Sequence, residues 1–172
     1  MKTIELSQGY VTEVDDKNYD RCMDGTKWQA EVVKCKEGFF NVYAKRNLYI
    51  GNGKQTTQKI HRFILGITDP KIKVDHEDHN GLNNQEYNIR VANDEENAQN
   101  RLLPSNNTSG YKGVYWNKAC QKWQAQIRVY GEQMHLGLFT DVLEATAAYD
   151  AAALRYHGKF VYTNAMMEQI KQ

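Results

Sequence analysis

The chain has 172 residues, 41% of them hydrophobic and 25% charged, and a net charge of only +1. That length supports one ordinary domain or two to three small ones, and the near-neutral balance excludes a uniformly basic surface, so any basic patch has to be local and offset elsewhere. Three widely spaced cysteines (Cys22, Cys35, Cys120) without a Cys-x-x-Cys exclude a disulfide framework and a zinc knuckle.

A reduced, cytoplasmic location fits that cysteine usage. No signal-peptide pattern is present, and no apolar run approaches the ~18 residues of a membrane span, so neither secretion nor membrane insertion is expected. Residues 1–58 mix short apolar alternation with acidic turns at Asp15-Asp16 and Asp20. Lys27 to Cys35 and Gly38 to Lys45 are rich in β-formers, and Leu48-Tyr49-Ile50 precedes a Gly51-Asn52-Gly53 turn. These features predict a small antiparallel sheet acting as scaffold. Trp28, Phe39, Phe40, Tyr43 and Tyr49 are expected in its core. Lys45, Arg46 and Lys54 are either solvated or phosphate contacts.

Residues 59–103 carry the densest polar chemistry. Lys59 to Gly66 has helical character and ends at a glycine. Within it, His61 reads as a core packing residue or a DNA contact, and Arg62 as solvated or phosphate-bound. Lys71 and Lys73 lead into a strand ending in Val74-Asp75-His76. Asn80-Gly81 is a turn signal. Asn88 opens a return strand, Ile89 to Ala92. Asn93 suits a helix N-cap with Glu96 three residues on, and the helix sets Asn93, Asn97 and Asn100 on one side. A histidine near neutral pKa suits a general base. A hard cation takes carboxylate and amide oxygens and stabilises charge developing on a phosphodiester. Read singly, the same residues are a solvated Asn-rich loop.

The ordered set VDH at 74–76, NGLNN at 80–84, NIRV at 88–91 and the Asn-bearing helix at 93–100 resembles the HNH nuclease motif of phage and mobile-intron homing endonucleases. The resemblance implies a ββα-metal core over residues 59–103. In it His76 is the general base, Asp75 and Asn97 hold one divalent cation (Mg²⁺ expected, Mn²⁺ as substitute), and Asn88 orients His76 or braces the loop. His61, His79 and Asn100 are additional candidates. His79 stands where relatives often carry Gly, and Gln85 where they often carry Arg.

Pro104 to Gly110 reads as a linker. Three strand-like runs follow, Tyr111 to Asn117, Lys122 to Tyr130 and Gln133 to Thr140. Asp141 can cap an Ala-rich amphipathic helix that runs to His157. The segments SGYKGV, KWQAQIR, LGLF, EATAAYDAAA and HGKF with Asn164 resemble the ethylene-response-factor type DNA-binding domain of plants. The resemblance implies a module over 111–165, with 166–172 as tail, whose sheet enters the major groove. A strand ribbon fits that groove, which is ~12 Å wide. On the exposed strand face the expected DNA contacts are Lys112, Tyr115, Trp116, Lys118, Lys122, Gln124, Gln126, Arg128 and His135. Gln can read adenine bidentately, and Lys and Arg can read guanine or hold phosphate. A solvated sheet face is the alternative.

Together these readings predict an α+β protein: a small amino-terminal antiparallel sheet, a ββα-metal core, and a carboxy-terminal three-stranded sheet packed on one helix. The leading functional expectation is a monomeric, site-specific, metal-dependent endonuclease acting on double-stranded DNA. The alternatives are a sequence-specific DNA-binding regulator with an idle nuclease core and a structural or protein-binding module.

Overall fold

The computed structural model describes residues 1–34, 40–104 and 106–170. The chain is α+β, with several small antiparallel sheets and few helices. It divides into two compact units, Met1–Asn93 and Asp94–Gln172. Cys35, Phe39, the Phe40 side chain and Ser105 lie outside what the structure describes. Among the described residues, no helix is long and apolar enough to cross a membrane.

In the first unit β1 (Lys2–Glu5) pairs antiparallel with β2 (Val11–Val14). The helix α1 (Asp16–Cys22) follows, then a meander of β3 (Gln29–Lys34), β4 (Phe40–Tyr49) and β5 (Gln55–Lys59). Next come α2 (Ile60–Ile64) and a two-stranded pair, β6 (Lys73–His76) with β7 (Ile89–Ala92). Alternation along the strands and the 3–4 spacing on α2 send Ile4, Val14, Ala30, Ala44, Ile60, Ile64 and Ile89 into one core with Cys22 and Trp28. The Trp28 indole N–H donates to the Cys22 carbonyl at 2.8 Å, so its burial leaves no unpaired donor.

Among the expectations for this unit that change, Arg62 donates to the Ile72 and Asp69 carbonyls and Lys45 pairs with Glu31. Tyr49 is 76% exposed, at the end of β4 beside the Gly51–Gly53 turn. Arg46, expected as solvated or phosphate-bound, is buried. Its guanidinium stacks on Trp28 at 4.6 Å and Phe63 at 4.4 Å, and donates to both carboxylate oxygens of Asp24 and to Gln58. The weakly hydrated, planar guanidinium tolerates this site where an ammonium would not.

The second unit begins with α3 (Asp94–Gln99). Its sheet has the order β10-β9-β8, from β8 (Val114–Asn117), β9 (Lys122–Val129) and β10 (Glu132–Phe139). The helix α4 (Val142–Tyr156) covers one face, and α5 (Asn164–Ile170) closes the chain. Asp141 caps α4 through a side-chain bond from Leu143 N–H. Small residues on the α4 inner stripe (Ala145, Ala152, Ala153) bring the helix close to Val114, Ala125, Ile127 and Val129. Gly113 makes room for the Tyr149 ring: a Cβ there would lie 2.0 Å from it, and its φ of 72° is one that side-chain-bearing residues avoid.

The division between units falls ahead of the compositional boundary at 104–110, so α3 belongs to the carboxy-terminal unit. Hydrogen bonds to the sheet unit hold it there. The Lys112 ammonium donates to the Gln99 carbonyl, and Gly131 N–H donates to Glu95. The described part of 104–110 is a built loop. Ser109 Oγ donates to Val114 O at 2.6 Å and Gly110 N–H to Asn107 Oδ1 at 2.7 Å.

Candidate nucleic-acid interface

Residues directly opposite in antiparallel strands share a face, and neighbours along a strand alternate. In β9, Ala125, Ile127 and Val129 are buried toward α4, so Lys122, Gln124, Gln126 and Arg128 point the other way. The register adds Tyr115 (opposite Gln124) and Asn117 (opposite Lys122) from β8. From β10 it adds Gln133 (opposite Arg128), His135 (opposite Gln126) and Leu138 (opposite Gln124). His135 and Leu138 are three residues apart yet share a face, because a bulge between His135 and Gly137 leaves Leu136 unpaired.

Six of the nine residues expected to face DNA therefore share one outer face: Tyr115, Lys122, Gln124, Gln126, Arg128 and His135. The other three do not. Trp116 pairs with Trp123 and points with Val114 and Ala125 toward the α4 side. Lys118 follows β8 in the exposed β8–β9 turn. Lys112 precedes β8 and turns inward, its ammonium bonded to the Gln99 and Tyr162 carbonyls and lying over the Tyr162 ring. Burial holds the Lys112 pKa down at about 8, with the nearby Asp150 charge opposing. Asn164 secures the same corner. It accepts from Lys112 N–H at 2.6 Å and donates to Lys112 O at 3.2 Å and Asp150 Oδ1 at 2.8 Å.

The outer face is internally bonded. Tyr115 Oη lies 3.1 Å from Gln126 Oε1, and Asn117 Nδ2 donates to Gln124 Oε1 at 2.7 Å. Arg128 Nε donates to Gly131 O at 3.0 Å, which aligns the guanidinium along the β9–β10 turn. Asn117, Gln133 and Leu138 were missed in the sequence. Asn117 was legible only as a strand end, and the bulge that puts Leu138 on this face is invisible to simple alternation.

In the first unit, Asp75 and His76 end β6. Arg90, directly across on β7, sends Nε and Nη2 to Asp75 Oδ2 at 3.1 and 3.0 Å, and Nη1 to Glu77 at 2.9 Å. Both side chains of the Asp75–Arg90 pair are 11% exposed. His76 is buried, with Nε2 3.1 Å from Asn84 Oδ1. Asn84 Nδ2 donates onward to Thr12 Oγ1 and Gly81 O, so Asn84 presents its oxygen to the imidazole and Nε2 carries the proton. Burial pushes His76 below the ordinary histidine pKa, while the Asn84 bond and the carboxylates of Asp78 and Asp75 pull it back up. Asn88 braces the loop: it donates to Asp78 Oδ1 and Asn83 O and accepts from Asp78 N–H. His79 sits in that loop at φ 63°. His61, on α2, packs edge-on against His76 with ring centroids 5.0 Å apart, and Tyr43 lies about equally near both. Burial, with a smaller contribution from His76, drives the His61 pKa down to about 3. Asn97 and Asn100 lie on or just after α3, in the second unit. Among the described residues, no cluster of three or more His, Cys, Asp or Glu side chains is arranged to hold a metal ion.

The fold and this face define an α+β chain with a helix-backed three-stranded sheet whose outer side is polar. No family model matches the chain, and no solved structure matches it. The chain belongs to the family of protein 3.8 of Escherichia phage T7: the two are 37% identical over 87 residues, 51% of this chain and 71% of that protein. It is also similar to APETALA2-like protein 2 of Oryza sativa subsp. indica, 39% identical over 59 residues, and to the ethylene-responsive transcription factor WRI1 of Arabidopsis thaliana, 40% identical over 62 residues. These matches cover 33% and 35% of this chain but only 13% and 14% of the plant proteins.

Proposed function

We propose that this protein binds double-stranded DNA sequence-specifically, with the outer face of β8–β9–β10 as the reading surface. The observation that carries this is the shared face of Tyr115, Lys122, Gln124, Gln126, Arg128 and His135. These are groups able to contact base edges or phosphates, set on a rigid sheet backed by α4. The similarity to APETALA2-like and ethylene-responsive transcription factors supports the reading. The test is binding of the full chain to a randomised duplex library at fixed salt, beside Arg128→Ala and Lys122→Ala. Enrichment of a defined motif by the wild type, with affinity lost in both variants, is the expected result. Equal binding of all sequences, or none, overturns it.

A second reading, DNA cleavage, keeps the same DNA partner. It is favoured by one specific feature: Asp75 and His76 end β6 and Asn88 directly precedes the paired strand β7, on one hairpin, with the proton of His76 held on Nε2 by Asn84. A divalent cation at Asp75 would supply phosphate charge neutralisation. It would compete with Arg90 for the same carboxylate. Mg²⁺- or Mn²⁺-dependent nicking of a plasmid carrying the selected motif, abolished by EDTA and by His76→Ala with binding retained, is the result this reading requires. Binding without cleavage under either metal leaves the regulator.

A further inference from the structure

We propose that Gln124 is a specificity-determining residue set to act as a hydrogen-bond donor, and that it selects guanine at the base it faces. The inference rests on the DNA-binding reading above and adds to it the kind of base edge read.

Asn117 sets the orientation of its neighbour. Its Oδ1 accepts from the backbone N–H groups of Ala119 and Cys120, at 3.1 and 3.2 Å, and so closes the turn between β8 and β9. An amide has a single oxygen. With that oxygen committed to the turn, the group Asn117 extends across the sheet is Nδ2, a donor only. It meets Gln124 at 2.7 Å. The Gln124 atom at that contact has to be its oxygen, since two amide nitrogens would repel. The two-way choice that an isolated glutamine keeps is therefore removed by its neighbour (Asn and Gln orientations follow from such networks). Gln124 then offers its NH₂ group to whatever lies against the outer face.

In the major groove, guanine shows two acceptors, N7 and O6. Adenine shows an acceptor and a donor, thymine one acceptor beside a methyl group, and cytosine a donor. An NH₂ with both protons available and its oxygen already engaged matches guanine best and cytosine worst. The generic expectation of a glutamine reading adenine with both amide atoms does not hold at this position. Tyr115 does not impose the same choice on Gln126, because a phenol can donate or accept.

The test is selection from the same duplex library with the full chain, comparing wild type, Gln124→Ala and Asn117→Asp. The wild type is expected to enrich guanine at one position. Gln124→Ala should lose that preference by about tenfold or more while the rest of the motif persists. Asn117→Asp keeps one oxygen for the turn and turns an acceptor toward Gln124. The amide should then reverse and present its oxygen, shifting the same position to cytosine or adenine. An unchanged motif in Gln124→Ala overturns the proposal, as does an unchanged motif in folded Asn117→Asp. Gln124→Ala alters an outer-face side chain only, so it decides the matter even if the Asp variant unfolds. If the wild type enriches no motif, the DNA-reading proposal falls and this one with it. If it enriches a motif indifferent to Gln124, only this one falls.

Discussion

Trp116 stands directly across from Trp123, ring centroids 5.1 Å apart and planes at 70°, on the sheet side that carries Val114 and Ala125 toward α4. An edge-to-face pair of this kind adds about 0.5–1.5 kcal/mol to the area it covers. Trp116 is 41% exposed, so the loss on truncation is limited. Trp116→Ala should cost about 1–2 kcal/mol in chemical denaturation and leave the selected DNA motif unchanged. A changed motif with unchanged stability would put Trp116 at the DNA.

Gly113→Ala should be far more damaging than its size suggests. The new methyl would lie 2.0 Å from the Tyr149 ring and 2.7 Å from Gln126 O, at a φ of 72°. Overpacking and left-handed strain add, giving a loss of about 3 kcal/mol or more. Thermal unfolding of the variant measures it. A Tm within a degree or two of wild type would mean that α4 packs differently.

Acid should destabilise the first unit through His61. Its folded pKa of about 3 lies below the ordinary 6.5 because the imidazole is buried neutral. The unfolded chain takes up the proton first. The stability is thus complete above about pH 6.5 and lost progressively as pH falls toward 3. By pH 5 the loss from this group is about 2 kcal/mol. The gap between denaturant midpoints at pH 7 and pH 5 should narrow in His61→Leu, leaving the smaller contribution of the buried His76. Equal pH slopes for variant and wild type would show that His61 does not stay neutral.

A fragment of residues 94–172 should melt higher than one of 111–172. The longer fragment keeps the Lys112–Gln99 and Glu95–Gly131 ties that hold α3. It also keeps the Ser109 and Asn107 bonds that close the loop before β8. Circular dichroism melts of the two fragments give the comparison, and identical Tm values would show that α3 adds nothing to the unit.

Much of the second unit was legible because its signals are local. Apolar alternation marked β8, β9 and β10, and Asp141 marked the start of α4. The hairpin bearing Asp75 and His76 was legible for the same reason, from strand composition around an Asn-Gly turn. Which face each residue takes was not. Alternation gives parity only from a known origin, and Gly113 at positive φ and the bulge at Leu136 each reset it. Trp116, expected beside Tyr115 on the outer face, takes the opposite side because neighbours along a strand alternate.

By itself the sequence determined the strands and backing helix of the second unit, the hairpin after Asp75-His76 and the residue types available for DNA, but not α1 or the α5 helix that stands where a tail was expected. Tertiary structure alone decided which of those groups are free to act. Arg46 and Lys112 carry the charge a phosphate contact needs, yet Asp24 and two aromatic rings engage the first, and the carbonyls of Gln99 and Tyr162 engage the second. Those partners are distant in sequence. A buried cation is tolerated only where they converge, and no local pattern encodes that convergence.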